Sequence, residues 1–561
     1  MNSALRLLAL TCAVVAISSP CIGQQKVKQK VKQKTLQQAS RNVSGGPLRA
    51  DQACYDVQHY TLTLRVEPSE KSIAGELQMR ALATSAMPRF ALDLDQALQV
   101  DGVKVDGQKV KFAHEGGRIA IEPAAQIAKG AEFLVAVQYG GQPRVAKRPP
   151  WTGGFTWSKT EAGQPWIATS CQGEGADLWW PCKDHPSDKP NSFDLICTIP
   201  AGLTLASNGT LQGEPITKDG KTTFHWRSAS PIANYNVALN IAPYVELKDT
   251  FECIDGTKMP VTFYVLPASK RKAKRCMPAF LDHIKVFEQL LGPYPFRHEK
   301  YAIAETPHLG MEHQTIIAYG NGFRDEQYDW LHNHELAHEW WGNLITCRDW
   351  KDMWLHEGFG TYMQPLYREI RFGAKAYSDE IHRHRTMNRT ALAPREVKDS
   401  AQIYFGGGSN DIYYKGSLVL HTLRWQLGEK KFFEALRRFA YPSEEVAAKT
   451  DGSQVRFVDT EDFVKLCSEI AGEDLSWWFE VYVRSAGLPR IGYRMADGVL
   501  HLQWLTPRNL PFSMPIPVTI GGTEYAVRMP GGKAEMKIGN AEYKIDPNGR
   551  LLTAKARKLD K

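Results

Sequence analysis

Beyond residue 23 the 561-residue sequence has no apolar run long enough to cross a bilayer, which excludes an integral membrane protein built on spanning helices. Cysteine is scarce as well. Of ten in all, Cys12 and Cys21 lie in the first 23 residues, and the remaining eight are too sparse for a disulfide-built scaffold. None is spaced as a Cys-based zinc site, and Cys171 and Cys182 read either as a pair or as buried thiols. Acidic residues are missing from the first 50 positions, where eight Lys and Arg account for the entire net charge of +8. The body from Asp51 onward is therefore neutral and has no net field to steer a polyanion, so nucleic acid is not expected as a partner. A hydrophobic content of 43% excludes wholesale disorder, and the length excludes a single small module.

Residues 1–23 have the plan of a secretory signal: Arg6, an apolar run from Leu7 to Ile17, then small residues before a cut after Gly23. An exported protein, periplasmic or extracellular, is the expectation. Residues 24–51, with the near-repeat Lys-Val-Lys-Gln, read as a flexible basic linker. From Cys54 to about Val245 short alternating strands such as Tyr60–Val66, Phe133–Tyr139 and Phe193–Ile199 predict an antiparallel β domain. The period then becomes helical. Arg271–Leu291 is an amphipathic helix stopped by Gly292-Pro293, and helices continue to about Ala486. Strands such as Val499–Trp504 and Ile516–Ile520 return in the tail. The expected domains are 52–247 (β), 248–487 (mostly helical) and 488–561 (β).

The chemistry is concentrated in Trp330-Leu-His-Asn-His334-Glu335-Leu-Ala-His338-Glu-Trp-Trp-Gly342. Residues i and i+4 share a helix face, so His334 and His338 can aim at one ion, while Glu335 is rotated to reach a water instead. Gly342 is expected to end that helix. A catalytic zinc takes three protein ligands, and Glu357, at the opening of a second helix, is placed to be the third. A chance His-Glu-x-x-His match is expected only about 0.03 times in a chain of this composition. His332 and His356 lie off the ligand face and read as supporting or solvent-facing residues.

Together with Leu309-Gly310-Met311-Glu312-His313 upstream and Tyr413-Tyr414-Lys415-Gly416 downstream, this motif resembles the aminopeptidase N family of gluzincin metallopeptidases, over roughly residues 52–555. The resemblance implies an α+β multidomain fold: an N-terminal antiparallel β saddle, a thermolysin-like, mostly helical catalytic domain and a small C-terminal β-sandwich. It implies one Zn2+ per chain held by His334, His338 and Glu357, with Glu335 as general base on a zinc-activated water. Tyr413 would stabilise the oxyanion and Glu312 would bind the substrate's α-amine, beside Gly310 and Met311. In Thr169-Ser-Cys-Gln172-Gly-Glu174, Gln172 would supply a second amine-binding group, with Glu174 as the alternative. His313 and Leu309 depart from the family's segment and are expected near the first substrate side chain.

The leading expectation is a monomeric zinc aminopeptidase acting on peptides with a free N-terminus. A thermolysin-like endopeptidase shares the metal motif, and a non-catalytic zinc-containing peptide-binding scaffold is the reading of another class. An intact Glu335 speaks against the last, because a structural site needs ligands and no base.

Overall fold

The computed structural model describes residues 43–404 and 410–560. The signal segment, most of the basic linker and the glycine run Gly406–Gly408 lie outside the described residues. Among the described residues no helix is long and apolar enough to cross a membrane.

The alternation of the first half builds a nine-stranded sheet centred on Tyr55–Glu67, Ser72–Ala83 and Glu132–Gly141. Tyr60, Leu62, Leu64 and Val66 point to one face and are buried with Leu77 and Met79 of the neighbouring strand. The sheet is not wholly antiparallel. Ser192–Pro200 runs parallel to Tyr55–Glu67, with Leu62 opposite Leu195. Alternation is the same in both pairings, so periodicity could not reveal it; the long excursion of residues 68–191 returns the chain in the same direction. A four-stranded sheet carries Pro165–Ser170, which leads into the segment of Gln172.

Strand Val245–Glu252 crosses the expected boundary at 247/248 and pairs with Lys258–Val265, the next strand of the second domain's sheet. That sheet continues through Tyr301–Glu305 and Ile317–Tyr319 and ends on the short antiparallel edge strand Gly310–Met311. Helix Lys270–Leu291 packs beside it and stops at Gly292, φ +110°, as its sequence foretells. Two further helices face each other over the sheet's edge: the histidine helix, Trp330–Ala337, and the glutamate helix, Trp354–Phe372. The histidine helix ends about one turn before Gly342. Beyond it the amides of Asn343, Leu344 and Ile345 bond to carbonyls five residues back, a wider turn than the α-helix, and Gly342 adopts φ +143° within it.

In the tail, Arg490–Ala496 and Val499–Leu505 form one small sheet and Ile516–Ile520 heads another. Their inner residues, Leu500, Leu502, Ile516 and Val518, share a core continuous with that of the helical domain. All eight cysteines from Cys54 to Cys467 are buried free thiols, Cys171 and Cys182 included.

Candidate functional site

The histidine helix is fixed at its start by Asp329, whose carboxylate accepts the His332 amide at 2.9 Å and the Tyr319 hydroxyl at 2.6 Å. This anchors the helix to the sheet and sets the direction of its ligand face. His334 and His338 bring their Nε2 atoms to 3.2 Å of each other, and Glu357 Oε2 lies 3.4 and 3.5 Å from them. The second ring nitrogen of His338 faces the Trp341 carbonyl at 2.9 Å, which orients the imidazole. Tyr404 donates to the other oxygen of Glu357 at 3.0 Å.

Two glycines make this convergence possible. Gly360 stands one turn along from Glu357, where a Cβ would come within 3.0 Å of His338 Cε1. Gly358 meets Gly416 at the crossing of the glutamate helix with helix Tyr414–Leu427; a Cβ on Gly358 would approach Gly416 Cα to 2.9 Å. The contact draws Tyr413, the residue preceding that second helix, toward the histidines, its ring centre 6.1 Å from that of His334. Lys415, buried beside it, donates to the carbonyls of Thr390, Ser485 and Ala486 and ties down the helix start.

Glu335 is buried and outside the donor triad. It presses against Gly310 so closely that a Cβ there would come within 2.5 Å of its Oε1. Glu312 follows the edge strand Gly310–Met311. Its Oε1 accepts from Gln172 and, at 3.1 Å, from the Tyr235 hydroxyl, both from the first domain. Glu174, the alternative to Gln172, instead accepts the Gly153 amide at 2.6 Å and is not among the cavity's lining residues. His334, His338, Glu357, Glu335, Glu312, Gln172 and Tyr413 open on one cavity of about 630 Å3, lined also by Met311, Leu309, Trp151 and Arg148. His313 does not line it. The ring is fully buried, with no hydrogen-bond partner on either nitrogen, and is not among the cavity's lining residues.

His332 and His356 face neither solvent nor the ion. His332 stacks on Phe280, its ring centre 3.9 Å away, and its Nδ1 lies 2.7 Å from that of His283; His356 accepts the Cys347 amide at 2.9 Å. Tyr235, Tyr404, Gly358, Gly360 and Asn343, whose side chain donates to the Glu312 carbonyl at 3.1 Å, had no signal in the sequence strong enough to mark them.

The electrostatics ask for a cation. Burial, and then the charges of Glu312 and Glu357, push the Glu335 carboxyl well up. Burial also raises Glu312, to about 7, with Glu357 adding to the rise and His338 opposing it. Burial would lower His338, but its hydrogen bond to Glu357 and the field of the three glutamates push it up to about 10. Ligands about 2.0–2.2 Å from a tetrahedral ion stand about 3.3–3.6 Å from one another. Donor separations of 3.2, 3.4 and 3.5 Å lie in or just below that range, and a set of two imidazoles with one carboxylate suits zinc.

Two family models match the chain: the peptidase M1 N-terminal domain over residues 56–235 and the peptidase family M1 domain over residues 319–482. Among curated relatives, aminopeptidase M1-D of Oryza sativa subsp. japonica is 25% identical over 499 residues, 83% of this chain and 54% of the relative. The leucyl aminopeptidase of Saccharolobus solfataricus is 22% identical over 463 residues, 76% and 54% respectively. The chain thus spans about half the length of these relatives. An M1 zinc metallopeptidase crystal structure from Deinococcus radiodurans shares the fold, with a TM-score of 0.62 at 22% identity, covering 80% of this chain and 95% of that one. A mutant of that protein has been crystallised with a Tyr-Ser-Ala substrate.

Proposed function

Because the chain belongs to peptidase family M1, matching its N-terminal and catalytic domains in succession, we propose that it is a zinc aminopeptidase that releases single residues from the free N-termini of peptides. One observation carries this reading: Glu312, bonded to Gln172 and Tyr235, opens on the same cavity as His334, His338 and Glu357. A carboxylate set beside the metal triad holds a protonated chain end and leaves no counterpart for the middle of a chain.

His334, His338 and Glu357 would hold a zinc ion, which when bound would supply Lewis acidity for the scissile carbonyl and for water. Glu335, off the triad, in its ionised form takes a proton from the attacking water and delivers it to the departing amine. Tyr413 keeps its proton, burial and the nearby glutamates holding its hydroxyl far above the ordinary range, and donates it as a hydrogen bond to the oxyanion. Glu312, with Gln172 at its side, fixes the α-ammonium and so sets which bond lies over the base, with Gly310 and Met311 bordering the substrate backbone.

Aminoacyl anilides with free and acetylated amines test the reading, with and without chelator. Chelator-sensitive cleavage of the free amine alone is the expected result; equal cleavage of both would overturn the aminopeptidase reading. Export of a monomer belongs to the same proposal, supported by the signal pattern of residues 1–23, and N-terminal sequencing of the mature protein with its hydrodynamic size checks both.

A further inference from the structure

The charged side chains lining the cavity are unevenly placed. Glu312, Glu335 and Glu357 crowd around the triad histidines, and among the described residues a single Lys or Arg, Arg148, lines the cavity with them. Among the described residues Arg148 makes no ion pair, whereas its neighbour Arg144 reaches Asp95 at 2.8 Å. The guanidinium is therefore an unspent charge on a cavity wall.

It is also held by a built turn. Arg148 N donates to Thr152 Oγ1 at 2.6 Å and Thr152 N returns a bond to the Arg148 carbonyl at 3.0 Å. Pro149 and Pro150 restrict φ between them. The turn is docked on the amine-binding segment: Gly153 N donates to Glu174, two residues after Gln172. Arg148 thus shares a wall with the group that holds Glu312. Its guanidinium lies 5.9 Å from the centre of the Trp151 ring, a half-exposed indole that orients the cation and leaves its in-plane donors open to a planar anion.

Resting on the aminopeptidase reading, we infer that Arg148 binds a carboxylate of the substrate, so that the preferred substrates are peptides carrying an anion within reach of the amine anchor. An ammonium at Glu312 and a carboxylate at Arg148 complement the two signs of charge that line the cavity. The carboxylate has two sources, an acidic side chain on the first residue or the chain end of a very short peptide, and both offer the same bidentate geometry.

Three peptides separate these: Leu-Ala-Ala amide, which has no carboxylate, Glu-Ala-Ala amide and Leu-Ala-Ala free acid. In the wild type one or both acids are preferred over the neutral amide by about tenfold in kcat/KM, carried by KM and reduced by salt. In Arg148→Gln that ratio falls to near one, and in Arg148→Lys part of it survives. The peptide whose advantage disappears identifies the source. A wild type indifferent to both acids, or an Arg148→Gln protein that keeps the preference, overturns the inference. Should no peptide be cleaved by the wild type, the aminopeptidase reading fails instead. The ratio of Kd values for the same peptides on zinc-loaded protein, from calorimetry, then decides Arg148 by the same criterion.

Discussion

Glu335 follows a metal ligand directly and is still excluded from the triad, because one residue along a helix turns a side chain away by about 100°. Glu335→Gln is therefore expected to keep one zinc per chain and to lose about 10³-fold in kcat, within the span of general acid–base contributions. Metal content and turnover of the same preparation check this, and loss of zinc would make Glu335 a ligand. Glu312 leads to a pH dependence whose sign is fixed. Burial first, then Glu357, raises its carboxyl to about 7, and only the ionised form attracts an ammonium. The kcat/KM for free-amine substrates should fall as pH drops through that carboxyl's pKa, at or below about 7 because a bound dication favours ionisation. In Glu312→Gln the Glu312 step should drop out of the acid limb, leaving that of Glu335, while KM rises.

Where helices meet, space takes over from charge. Gly358→Ala would push a methyl into the backbone of Gly416, which no flexible side chain can relieve. A loss of about 1–3 kcal/mol is expected from such overpacking, measured as a shift in denaturant midpoint, together with reduced kcat as Glu357 and Tyr413 move apart. Gly360→Ala touches an imidazole edge instead, so its effect should fall on zinc affinity, about 10–100-fold by chelator competition, with stability nearly kept. The His334/His338 pair was legible in the sequence because helical spacing converts directly into a shared face, and Glu357 because it opens a second helix nineteen residues after His338. Gly358, Gly360 and Gly416 were not, since the need for a missing side chain arises only once two helices cross. The same holds for Tyr404 and Tyr235, whose partners lie 47 and 77 residues away. Strand alternation foretold the buried faces of the first domain and was silent on the parallel pairing of Ser192–Pro200 with Tyr55–Glu67. His313 was expected at the cavity and is buried without lining it, because position in a motif does not fix which way a loop residue turns.

The whole molecule divides the proposed amine anchor between two domains. Glu312 comes from the second and Gln172 and Tyr235 from the first, while Lys189 donates to the Asn343 carbonyl at 2.8 Å and Asn208 to the Gln314 carbonyl at 2.7 Å to lock the two together. Gln172→Ala and Glu312→Ala should accordingly be non-additive: the double variant's KM for free-amine peptides should lie well below the product of the single effects, with a coupling of about 0.5–3 kcal/mol. Additive effects would show that the two residues act separately. The first domain thus acts as one jaw of a caliper whose other jaw is the catalytic domain, and a caliper loses its gauge before either jaw melts. On warming, recognition of the chain end should blur at a lower temperature than the cooperative unfolding seen by calorimetry, and adding a peptide that spans both jaws should bring the two temperatures together.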